Sequence, residues 1–129
     1  MRQEYIDVAD KKWGVVVVSD FDTDKERVEL LAIMRSFGLS LYNAKRALNI
    51  LSAYNTGMAV SVDSLRMSVI FISHATSKEE FWSTAIHELK HVTDAIVDYY
   101  GADWDEDAAY TIGYLTKELV EIIGEPCVG

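Results

Sequence analysis

Apolar positions along the chain switch between two periods, and the switches mark out its elements. "EYIDV" at Glu4–Val8 alternates polar and apolar, and "WGVVVVSD" at Trp13–Asp20 is a β-branched run. The "ADKK" between them has turn composition, so the segment predicts a β-hairpin. From Lys25 to Phe37 the residues Val28, Leu31, Ala32, Met34 and Phe37 recur at helical spacing, and Gly38 fits a helix stop. Ser40 can cap a second helix carrying Leu41, Ala44, Ala47, Leu48 and Leu51, with "YNTG" ending it at Gly57. "MAVSV" and "MSVIFIS" follow as two strands joined through "DSLR". Ser77 and Glu80 make the S-x-x-E pattern of a capping box, opening a third helix that runs to Tyr100 with Gly101 as its stop. Asp103 or Asp105 opens a fourth helix, closed by Gly124. The predicted order is β-β-α-α-β-β-α-α, an α+β fold in which a small sheet packs on helices. No sequence repeat and no linker divides it, so residues 1–129 form a single domain.

Composition narrows the function classes. A chain of 129 residues, half of them apolar, can bury a modest core. Its net charge of −9 argues against a nucleic-acid surface, which needs a basic stripe, and against anionic membranes. The same acidity favours capture of cations. Cys127 is the sole cysteine, so no internal disulfide forms, and no base or basic residue beside it activates its thiol. "MRQEYIDVADKK" has no apolar core of a secretion signal and "VVVV" is far short of a membrane span, so a cytoplasmic location is expected.

Two motifs suggest metal. Asp20, Asp22 and Asp24 match the first ligand positions of a calcium loop, but Lys25 stands where glycine is required and Leu31 where glutamate is required. A helix amino-terminus, where carboxylates complement the dipole, accounts for them better. The second motif is H-E-x-x-H, in "FWSTAIHELKHVTDAI". Residues four apart share a helix face, so His87 and His91 can aim at one ion, and Glu88 stands beside it as a candidate general base. Thr84, His87, His91, Asp94 and Asp98 also form a polar stripe that a merely wet helix face would show. The helix is apolar over most of its circumference, however, so the stripe is narrow and suits a groove.

A zinc site needs a further ligand. Asp94 is seven residues from His87, too far for three ligands of one straight helix, and suits a role behind His91 as acceptor for a ring N–H. Glu106 begins the fourth helix, with Asp103, Asp105 and Asp107 as competitors. A tight antiparallel return sets Glu106 near Val97; a loop running back along the helix, or a third helix that ends or bends early, brings it to His91.

"SKEEF", "TAIHELKH" and "EDAAY" together resemble the gluzincin branch of zinc peptidases, above all small single-domain zincins of bacterial and phage genomes. The resemblance spans roughly Arg66 to Leu119. It implies a zincin-like fold, His87, His91 and Glu106 as zinc ligands, Glu88 as general base, and a peptide or protein substrate lying along "RMSVIFIS". Tyr110, or Tyr114, can stabilise an oxyanion. His74 fits a plain loop residue, and Trp13, Trp82 and Trp104 fit core or hinge anchors. The expectation is a zinc metallopeptidase. The rival is a non-catalytic phage or mobile-element accessory factor that keeps the fold for binding or assembly.

Overall fold

In the computed structural model, which describes residues 1–101 and 105–129, four strands and four α-helices form an α+β fold. In chain order these are β1 (Arg2–Val8), β2 (Trp13–Ser19), α1 (Arg27–Ser36), α2 (Leu41–Leu51), β3 (Gly57–Val62), β4 (Met67–Ile72), α3 (Lys78–Tyr100) and α4 (Glu106–Ile123). The order differs from the sequence reading by two short 3-10 turns, Ala9–Lys11 and Asp63–Leu65, each set within a β-hairpin. Asp103 and Trp104 lie outside the described residues.

The sheet order is β1-β2-β4-β3. β1 pairs antiparallel with β2 and β3 antiparallel with β4, while β2 and β4 run parallel at the centre, Gly14 opposite Met67 and Val18 opposite Phe71. Successive side chains of a strand face opposite sides. Val15, Val17, Ile70 and Ile72 therefore share one core with α3 and α4, whereas Val18, Val69 and Phe71 share another with α1 and α2. Central strands buried on both faces read as unbroken apolar runs, which is why "VVVV" and "VIFI" occupy the middle.

The fold repeats itself although the sequence does not. Each half is a hairpin followed by two helices. Both hairpins turn through a 3-10 segment closed by a left-handed residue, Lys12 (φ 51°) and Arg66 (φ 49°). The parallel β2–β4 pair joins the halves, and their helices cover opposite faces, so the two are related by an approximate two-fold axis along the strands.

Local chemistry sets the helix ends. Ser40 Oγ accepts from Asn43 N–H and Ser77 Oγ from Glu80 N–H, both at 3.1 Å. Asp22 Oδ1 accepts from the N–H groups of Asp24 and Lys25 in the turn before α1, so the aspartates of "DFDTD" shape that turn and do not cap the helix, whose N-cap, Glu26, makes no side-chain cap bond. Gly101 (φ 61°) ends α3, and the Arg2 guanidinium binds the carbonyls of Ile122 and Ile123 at the end of α4. Trp13, 1% exposed, donates its indole N–H to Ser68 Oγ at 2.9 Å and meets Tyr99 edge-on at 5.5 Å, tying the carboxy-terminal part of α3 to the sheet. No helix among the described residues is long and apolar enough to cross a membrane.

Ser68 is fully buried and also bonds Ser61 Oγ at 2.7 Å. Ser68→Ala strands the buried indole N–H, and we expect a loss of ~1–3 kcal/mol, read from the urea midpoint. Ser61→Ala, which leaves the Trp13–Ser68 bond in place, should cost less.

Candidate metal centre

α3 covers β3 and β4, and α4 packs beside α3 above β1. Since β3 and β1 are opposite edges, α3 presents one flank to the β3 edge and the other to α4. The motif falls on the β3 flank. Phe81, Ala85, Leu89, Val92 and Ile96 point into the core, and Thr84, Glu88, His87 and His91 follow around the helix toward β3.

His87 and His91 are exposed, and their Nε2 atoms lie 3.2 Å apart. Two imidazole nitrogens at ~2.0–2.1 Å from one ion, with a tetrahedral angle between them, stand about 3.3 Å apart. The observed separation is that of a hydrogen bond between the two rings, and it also matches the spacing of two ligands of a shared metal. Glu88 is 5% exposed, and one of its carboxylate oxygens lies within 4.8 Å of both histidine donors. His87, Glu88 and His91 are the one group of three or more potential metal donors among the described residues.

Gly57 explains how a carboxylate comes to be buried there. A Cβ added to it would lie 2.8 Å from Glu88 Oε2, 2.9 Å from Glu88 Cγ and 2.7 Å from Thr84 Cγ2. The missing side chain lets Glu88 lie flat against the first residue of the edge strand. Burial pushes the Glu88 carboxyl above its ordinary range, and the adjacent His87 and His91 rings pull it part of the way back.

The other candidates lie elsewhere. Glu106 is exposed at the start of α4, on the helix above β1, and is not among the converging donors. Its helical spacing to Gly113 and Lys117 puts it on the outward face of α4, away from Leu115 and Leu119 in the core. Asp107 pairs with Lys11 at 3.9 Å, and Asp105 immediately precedes the helix. Asp94 does not back His91; it takes the Lys90 ammonium at 2.5 Å. Tyr110, 81% exposed, lies on α4 beside the β1–β2 turn, and the Tyr114 hydroxyl is committed to the Asp7 carbonyl at 2.6 Å. His74 stacks near Tyr54, with 5.1 Å between centroids. Cys127 donates to Asp20, whose negative charge raises the thiol pKa and keeps it unreactive.

The strand beside the centre is also corrected. β4, the "RMSVIFIS" segment, is paired on both sides and has no free edge. The sheet edge beside the centre is β3, whose "GMAVSV" carries no charge and no proline. Sequence reasoning passed over Gly57, which looked only like a helix stop; a glycine opening a strand signals close backbone approach.

Comparison with known proteins returns no match: no protein-family profile fits the chain, and no curated protein and no solved structure is significantly similar to it.

Gly57→Ala should destabilise by ~1–3 kcal/mol through overpacking. In a Glu88→Ala background the contact with Thr84 alone persists and the cost should fall, so a double-mutant cycle in urea should show coupling between Gly57 and Glu88.

The raised Glu88 pKa also predicts a pH signature. The folded state holds this proton more tightly than the unfolded one, whose carboxyl titrates near the ordinary glutamate value of 4.5. This contribution to stability is fully present below that pH and is lost as pH rises through the folded pKa. In chelator, Glu88→Gln should therefore be more stable than the native chain at pH 7, and the difference should shrink toward pH 4. Equal differences at both pH values would contradict the burial argument.

Proposed function

We propose that the protein is a metal-dependent hydrolase of the minimal zincin kind, cleaving a peptide bond with His87 and His91 as zinc ligands and Glu88 as general base. The supporting observation is the Nε2 pair 3.2 Å apart beside a buried carboxylate on one flank of α3. His87 and His91 would hold the ion, and a zinc ion bound by them would supply Lewis acidity and lower the pKa of a water beside it. Glu88 accepts that proton and returns it to the leaving amine. Its burial raises its proton affinity, which strengthens it as a base. The unprotected β3 edge can take an extended peptide by main-chain hydrogen bonds and lay it past the histidines. Glu106, which the resemblance implies as the further zinc ligand, is not among the converging donors, and beside the two histidines only Glu88, among the described residues, stands close enough to complete a protein ligand set.

One observation favours a second reading. The three donors are close enough for Glu88 to be a ligand itself, which makes the centre a non-catalytic metal site serving binding or assembly. Metal content by mass spectrometry, combined with a peptide-library screen, separates the two. Catalysis predicts about one zinc per chain, lost in His87→Ala and retained in both Glu106→Ala and Glu88→Gln. Glu88→Gln should then lower hydrolysis ~10²–10⁴-fold. The ligand reading predicts metal loss in Glu88→Gln and no hydrolysis by the native chain. A native protein that takes up no zinc at micromolar supply sinks both.

A further inference from the structure

α4 turns Thr111, Leu115, Leu119 and Ile123 into the protein. Its opposite face presents Glu106, Tyr110, Gly113 and Lys117, at spacings of four, three and four residues. Two features of this face stand out among the described residues. Gly113 stands in the middle of an 18-residue helix, where glycine is a poor helix former, yet a Cβ there would meet nothing within 4 Å. Tyr110, 81% exposed, projects next to it, and Ala109 and Tyr114 complete a shallow concavity.

We propose that this face binds the same face of a second copy of the chain, with the two α4 helices antiparallel about a two-fold axis between Thr111 and Ile112. That register sets Tyr110 over the partner's Gly113, where the missing Cβ leaves a notch for the ring. It sets Tyr114 over the partner's Ala109 and Glu106 against the partner's Lys117, and symmetry repeats every contact. Charge selects the direction: parallel helices would oppose Glu106 to its own copy and Lys117 to its own copy. In a chain of net charge −9, this reciprocal acid–base pair is what lets two copies approach. An 18-residue helix is ~27 Å long, so the interface is small and the dimer weak, with a Kd on the order of 10–100 µM. The pairing leaves the β3 edge and the histidine pair uncovered, because α4 lies above β1.

Sedimentation equilibrium of the full chain at ~0.15 M salt, where general repulsion is screened, tests this from ~1 µM to ~1 mM. We expect a monomer–dimer equilibrium. Gly113→Leu fills the notch and should weaken it at least ~10-fold, while its thermal midpoint at ~1 µM stays at or above the native value because the monomer has room for the side chain. Glu106→Lys and Lys117→Glu should each weaken association, and the double variant should restore it. A protein that stays monomeric to ~1 mM, a dimer indifferent to Gly113→Leu, or a double variant as weak as the single ones would overturn the proposal.

Discussion

The parallel pairing of β2 with β4 is the constraint on which the rest of the molecule depends. Val15, Val17, Val18, Val69, Ile70 and Phe71 are all fully buried, and they face both sides of the sheet. Two strands so apolar need cover above and below, and a hairpin partner on each outer side. The four helices and the two outer strands supply these requirements twice, once from each half of the chain. The candidate centre is a by-product of that arrangement. α3 must cross β4 to cover it, and in doing so one flank comes to rest against β3 at Gly57.

That flank holds a tension. A carboxylate buried beside two imidazoles is unfavourable in the bare protein, because desolvation outweighs the help it receives from the rings. Few surface solutions would be simpler than leaving Glu88 in water. Its burial is therefore the kind of local cost that tends to persist where a site needs it. A cation bound between His87 and His91 would change the sign of that cost.

Most of the elements were legible in the sequence, and the reason differs from one to the next. Ser40, Ser77, Gly101 and Gly124 act through their nearest neighbours, so their residue types announce the helix ends. The approach of His87 to His91 is likewise local, set by helical spacing. The place of Glu106 was not legible, for the opposite reason. Spacing along α4 tells which residues share its face, but which edge of the sheet a helix covers depends on strand order, and strand order is not local. β4 was mistaken for the exposed strand, although its unbroken apolar run carries the signature of a central one, and the mixed "GMAVSV" that of an edge. The doubled architecture left no trace in the residues because only hydropathy and turn geometry are repeated.

The same central pair has a consequence in time. Gly14 finds its partner in Met67, 53 positions later (67 − 14). Helices α1 and α2 close on contacts nearby in the chain, but β2 cannot be enclosed until β4 exists. On a ribosome adding ~5–20 residues per second, that interval is roughly 3–10 s. During it the valines of β2 have a hairpin partner on one side and an open row of backbone N–H and carbonyl groups on the other, at a strand that will later be central in the sheet.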